Sequence, residues 1–437
     1  MVKIWSVRKK DSRGYLAFQS LNSLKVGNCA SLKYLFPASV AKGLVQLKVL
    51  EIFDCGVEEI VANENGLEEV PIFLFPRLTS LKLTKLYQLK RFYRDKYTLG
   101  CPLLKTLVVC NCDEVELLLQ EKSLEGEVDK QPLFLIEKNT FPNVEELELV
   151  FKGPVEISWG QFSRESFGKL RVLEIEVCHD ISVVIPHNIE QLIVRRCYSV
   201  EKVIQVEGHG GETLPRLTIM CLDDLPMLRH LSGLGSILQN LQSLQVFHCD
   251  SLINLVSPSM AKRLVQLKEL TVRYCGKVKE IVENEGGEAT DDEILFTKLQ
   301  KLNLSFLPNL KSFCSARYTF KFPCLIEMQV TDCPKMEFFC KEDSITESSQ
   351  RVELGYYGQR WENDLNTTIQ KMFMETNAEP MEEDFEEYWD FKELDPKEED
   401  SEDEVPDEED DEEGDSEEQH PNVEDSEGRS GSLGPRS

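Results

Sequence analysis

LVQLKELTVRYC, Leu264 to Cys275, is a stretch that the chain carries almost verbatim a second time, as LVQLKVLEIFDC, Leu44 to Cys55. Both copies fit the nine-position pattern L-x-x-L-x-[LIV]-x-x-C, with Leu267, Leu270, Val272 and Cys275 matching Leu47, Leu50, Ile52 and Cys55. Apolar residues spaced by three and then by two describe a short strand entered through a turn, because alternate strand residues share one face. A chain that repeats such a unit at a fixed interval is a solenoid.

Twelve windows fit the pattern, starting at Leu21, Leu47, Leu78, Leu104, Val144, Leu170, Ile189, Leu217, Leu241, Leu267, Leu299 and Leu325. Most intervals match those of leucine-rich repeats. The longest, Leu104 to Val144, holds the polar run EKSLEGEVDKQP and predicts a surface loop. The shortest, Leu170 to Ile189, predicts a tight coil with Pro186 in its connection. Positions one, four and six should stack on the equivalent residues of the next coil. Each buried Leu or Ile then contributes about 1.5–3 kcal/mol, and no single repeat can stand alone.

A longer period lies above the short one. SLKYLFPASVAKGLVQLK matches SLINLVSPSMAKRLVQLK, and LKLTKLYQLKRFYRDKYT matches LNLSFLPNLKSFCSARYT, so a block of four repeats is duplicated around a more divergent middle. SVAKGL (Ser39–Leu44) and SMAKRL (Ser259–Leu264) open on serines suited to N-capping and predict short outer helices. WENDLNTTIQKMF spaces Trp361, Leu365, Ile369 and Phe373 by four, one face of a helix that closes the last coil.

Charge is distributed unevenly. The net charge is −29, but residues 379–437 hold 28 acidic and 4 basic residues, leaving residues 1–378 near neutrality. The reading is therefore of residues 1–20 as a short N-terminal cap or leader and 21–340 as a solenoid of about twelve repeats. Residues 341–378 form a C-terminal capping segment with a helix, and 379–437 a disordered acidic tail. The fold class is α/β: a curved horseshoe with parallel strands on its concave face and short helices and loops on its convex face. No clustered cations suit a phosphate backbone, so nucleic acid is not an expected partner. No apolar run approaches the ~20 residues of a membrane span, and the start shows no secretory signal. Eight of the 14 cysteines (Cys29, Cys55, Cys112, Cys178, Cys197, Cys249, Cys275, Cys333) take position nine as small core filler. Without C-x-x-C, metal binding is not expected, and a reduced cytoplasmic or nuclear setting is. No histidine or nucleophile motif supports an enzyme, and no cofactor is expected.

The repeats resemble those of plant nucleotide-binding leucine-rich-repeat disease-resistance proteins of the coiled-coil class. The resemblance rests on L-x-x-L-x-[IV]-x-x-C, on the alternating leucines of FPRLTSLKLTKLYQL (Phe75–Leu89) and FTKLQKLNLSFLPNL (Phe296–Leu310), and on Trp361–Gln370. It implies a recognition module of the defence response that binds a pathogen effector or a host protein on its concave face. It also implies a nucleotide-binding switch domain, in cis or in trans. No phosphate loop is found here: Gly168-Lys169 and Gly276-Lys277 are followed by Leu and Val. The acidic tail lies outside that resemblance. It supports an alternative, an acidic-tailed leucine-rich-repeat protein that binds basic partners such as histones.

The x positions around the strand leucines should be wet. Repeats five and six place Glu146, Glu148, Glu174 and Glu176 there, and repeat seven Arg195 and Arg196. Repeats nine to eleven add Phe247, His248, Arg273, Tyr274 and Phe306. Aromatic residues with arginine are the composition of protein-binding hot spots, and Phe247, Tyr274 and Phe306 are expected to form one stripe.

Overall fold

The structure, a computed structural model, describes residues 18–62, 75–93, 101–112, 116–119, 132–135, 142–150, 167–177, 188–203, 214–231, 238–285, 293–341, 351–353 and 364–378. All lie within one compact unit, Met1–Pro380. The insertion 121–131, the connection around Pro186, Cys178, Trp361 and the tail lie outside the described residues.

Thirteen parallel strands form one sheet in chain order. They are Ser23–Cys29, Val49–Cys55, Ser80–Thr84, Thr106–Cys110, Glu146–Val150, Val172–Glu176, Gln191–Arg195, Ile219–Asp223, Ser243–Phe247, Glu269–Arg273, Lys301–Ser305, Glu327–Thr331 and Arg351–Glu353. The first twelve are the twelve windows of the sequence. The thirteenth falls inside the segment expected to be only a cap; three residues, Arg-Val-Glu, are too short to show a period.

Register follows the repeat. Leu244 pairs with Leu270 and Leu270 with Leu302, while Val246, Val272 and Leu304 run beside them. These residues and the position-one leucines Leu241, Leu267 and Leu299 are almost wholly buried. In register, each spine residue meets its equivalent one strand spacing away, about 4.8 Å, so the core is continuous from coil to coil.

Position eight has a backbone signature. Asn28, Asp54, Lys85, Asn111, Val177, Arg196, Asp224, His248, Tyr274, Phe306 and Asp332 all have φ between 48° and 57°. In each of these eleven coils one left-handed residue turns the chain out of the strand. Its amide stays on the ladder: His248 N–H donates to Arg273 C=O and Tyr274 N–H to Ser305 C=O, both at 3.2 Å. Left-handed backbone costs roughly 1–2 kcal/mol outside Gly, Asn and Asp, and this inter-coil bond offsets it.

Position nine explains the cysteines more fully than core filling does. The thiols of Cys29, Cys55, Cys197, Cys249, Cys275 and Cys333 each donate to the carbonyl two residues earlier, at 3.1–3.3 Å. A thiol is small enough for the core and can still add a second bond to a carbonyl that already accepts an N–H from the preceding coil, as at Arg273 and Phe247. Burial pushes the Cys333 thiol up to about 12, so it remains a protonated donor.

The outer side adds short strands to the expected helices and loops. It carries short parallel ladders: Tyr34–Pro37 with Glu59–Ala62 and Arg91–Tyr93, Glu116–Leu119 with Pro132–Leu135, Asn254–Val256 with Glu280–Val282, and Glu293–Leu295 with Thr319–Lys321. Buried Ile60, Val61, Ile281, Val282 and Phe320 favour extended pairing over a helical turn in the strands that hold them. The two outer helices, Ala38–Ala41 and Pro258–Ala261, are one turn each. Ser257, not Ser259, caps the second, accepting from Met260 N–H at 3.3 Å, because Pro258 suits the first helical position. Ser39 lies inside the first helix, whose N-cap is Pro37 without a side-chain bond.

The helix Leu365–Ala378 buries Leu365 and Ile369 in the common core. Its Asn366 Oδ1 accepts the N–H groups of Phe339 and Cys340, at 3.0 and 2.9 Å. The helix thus supplies the acceptor for two backbone donors of the last described outer segment.

Candidate protein-binding face

On the solvent side of the large sheet, positions three, five and seven alternate with the buried spine. Around the ninth to eleventh strands, position seven runs Asp223, Phe247, Arg273, Ser305 in register. Position eight runs beside it with Asp224, His248, Tyr274 and Phe306.

The aromatic stripe forms, with one change of membership. The His248 ring stacks on Tyr274 at 4.8 Å and 2°, and Tyr274 on Phe306 at 4.5 Å and 11°. Phe247 belongs to the neighbouring row, because it precedes the left-handed residue of its coil. The expectation had joined position-seven and position-eight residues; the left-handed turn separates them and recruits His248. Counting along the repeat, with His, Tyr and Phe at one position of three successive coils, was the signal available in the sequence.

Arg273 lies over this column. Its guanidinium carbon is 5.2 Å from the Tyr274 ring centre and 5.9 Å from that of Phe306, and Nη2 donates to the Tyr274 hydroxyl at 3.4 Å. Its Nε is buried with no acceptor. His248 Nδ1 is 3.1 Å from Asp223 Oδ1. That bond, with the nearby charges of Asp223, Asp224 and Asp250, raises the His248 pKa above 6.5 against the opposing effect of burial. Burial raises the carboxyl of Asp224, while a hydrogen bond from Tyr198 works the other way. Asp223 and Asp224 escaped sequence reasoning because they meet His248 only across coils.

The charged positions of repeats six and seven come together. Arg195 pairs with Glu174, and Arg196 with Glu176. The acidic patch is thus largely answered within the chain. Burial raises the Glu174 pKa and the charge of Arg195 opposes that shift. Glu146 accepts from the Thr106 hydroxyl at 3.0 Å, and Glu148 from the Cys110 thiol at 3.4 Å.

One family profile, that of plant disease resistance protein RPS2-like leucine-rich repeats, matches residues 1–56, 143–276 and 236–340, more than half of the chain. The chain belongs to that family. It is a leucine-rich-repeat domain of the RPS2-like kind, and its sheet carries the repeats the profile describes. A comparison with curated proteins finds no match. Among solved structures it is similar to an internalin, InlF, from Listeria monocytogenes, at 12% identity over 78% of this chain and 88% of that one, with a TM-score of 0.33. It is similar to TLR13 in its complex with ssRNA13, at 14% identity over 79% and 55% and a TM-score of 0.34. The plant peptide hormone receptor RGFR1, bound to RGF2, gives 13% identity over 78% and 72% and a TM-score of 0.23. Among the described residues of this RPS2-like domain, no helix is long and apolar enough to cross a membrane.

Proposed function

We propose that this RPS2-like domain is a recognition module of plant immunity that binds a protein, a pathogen effector or a guarded host protein, on the solvent face of its large sheet. In the whole receptor such binding would release a nucleotide-binding switch, in cis or in trans. The setting that fits is the cytoplasm or nucleus, since the thirteen described cysteines are all free thiols.

The observation that carries the reading is the column His248–Tyr274–Phe306 with Arg273 laid over it and Phe247 alongside. Rigid aromatic rings and an ordered arginine give contact area at low entropy cost, which is what binding hot spots use. The spine supports the same reading from behind. LVQLKELTVRYC and LVQLKVLEIFDC keep their buried residues, while Glu269, Thr271, Arg273 and Tyr274 replace Val49, Glu51, Phe53 and Asp54.

A binary interaction screen of this chain against secreted effector proteins of plant pathogens and their host targets tests it. The expected result is a partner whose binding is lost in a Phe247→Ala, Tyr274→Ala, Phe306→Ala triple variant that melts as a folded protein. A partner bound equally by that variant would move the interface elsewhere.

A further inference from the structure

We infer that Arg273 anchors one carboxylate of the bound protein: an aspartate or glutamate, carried on an otherwise apolar segment, meets its guanidinium while a neighbouring apolar side chain packs on Phe247. This rests on the reading of the face as a protein-binding surface and adds the chemistry of what is bound.

The contrast with the other arginines of the face comes first. Arg195 and Arg196 have carboxylate partners on the adjacent coil. Among the described residues Arg273 has none, and its one hydrogen bond goes to the neutral Tyr274 hydroxyl. Its in-register neighbours are Phe247 and Ser305, and Thr271 stands two residues before it on the same face. All three are uncharged, and the Ser305 hydroxyl is already committed to Asn303 at 2.6 Å.

Arg273 is also held in place. It rests on Tyr274 and Phe306, and Tyr274 is itself sandwiched between His248 and Phe306. Little side-chain entropy remains to be lost on binding. With Nε buried and unanswered, the cation is already partly stripped of water. A charge-assisted bond to a carboxylate is therefore stronger here than at an open surface. Among the described residues Nη1 has no hydrogen-bond partner, and the Arg273 side chain is only partly buried.

The surroundings limit the ligand further. Asp223, Asp224, Asp250 and Glu269 lie on the same or neighbouring coils and repel a polyanion. A single acid within an apolar segment suits the site; a nucleic acid or a run of acidic residues does not.

Selection of random twelve-residue peptides displayed on phage, with the full chain as bait, tests the inference. Wild type is expected to enrich peptides that share an Asp or Glu beside an aliphatic or aromatic residue. Their binding should weaken at least tenfold on Arg273→Gln and by a smaller factor on Arg273→Lys, which keeps charge without the planar fork. Replacing the peptide's Asp by Asn should cost the same on wild type and nothing more on Arg273→Gln. The wild-type half of that peptide arm needs no variant and holds even if Arg273→Gln folds poorly. Enriched peptides without a shared acid, lost on Phe247→Ala yet retained on Arg273→Gln, would overturn the carboxylate and leave the binding face. No enrichment, or peptides indifferent to both variants, would overturn the face as well.

Discussion

Single residues carry much of the specificity of this fold. His248 is held by Asp223, and its pKa is raised. Its contribution to stability is therefore present in full below about pH 6.5, the unfolded value, and is lost as pH rises through the higher folded value. Titration of the His248 ring protons by NMR should give a midpoint above 6.5 that falls back in Asp223→Asn; the same midpoint in both proteins would rule the bond out. Glycines in the first two coils make a second pair of cases. A Cβ on Gly27 would meet the Phe53 ring at 1.9 Å, whereas one on Gly56 would meet the Ala30 carbonyl oxygen at 1.9 Å. A ring can rotate away and a carbonyl in the coil cannot. Gly56→Ala should therefore cost more than about 2 kcal/mol and Gly27→Ala clearly less, in urea unfolding. Gly27→Ala should approach neutrality in a Phe53→Ala background. Equal costs at the two glycines would contradict this geometry. The spine residues were legible in the sequence because burial imposes a period. The ion pairs and the His248 cluster were not, because each joins residues from different coils.

At the scale of elements, the twelve strands and the two short outer helices were legible and the outer ladders were not. The strand leucines repeat at fixed spacing, whereas runs such as EIVA (Glu59–Ala62) hold too few residues to separate strand from helix by period. The left-handed residue at position eight left only a weak trace, the Asn and Asp found at five of its eleven described occurrences. That weakness is also why the expected stripe joined Phe247 of position seven to Tyr274 and Phe306 of position eight. The C-terminal helix was predicted from Trp361, Leu365, Ile369 and Phe373, the last three of which lie in it, but the function of Asn366 was not. Asn366→Ala should leave the amides of Phe339 and Cys340 without acceptors and cost about 1–3 kcal/mol. Hydrogen exchange should show those two amides losing protection while the strand Ser243–Phe247 keeps its own. Unchanged exchange at Phe339 and Cys340 would mean that the helix does not hold the last coil through this residue.

Across the whole molecule, the duplication seen in sequence is a duplication of structure. Tyr34–Pro37, the helix Ala38–Ala41 and Glu59–Ala62 recur as Asn254–Val256, Pro258–Ala261 and Glu280–Val282. Buried aromatic contacts recur with them: Phe75 and Phe92 meet edge to face at 6.0 Å, and their counterparts Phe296 and Phe313 at 6.3 Å. Each coil touches mainly its neighbours, so damage should spread only from coil to coil. One register runs through the solenoid and sets adjacent residues on opposite sides: Leu270 is buried spine and Thr271 lies partly exposed on the solvent side. Urea unfolding of Leu270→Asp beside Thr271→Asp tests this most directly. An unpaired carboxylate in the spine should cost more than about 3 kcal/mol or abolish folding of the surrounding coils. The same charge one residue later should change stability by no more than about 0.5 kcal/mol. Equal losses, or a greater loss at Thr271, would contradict the register and with it the assignment of the binding face.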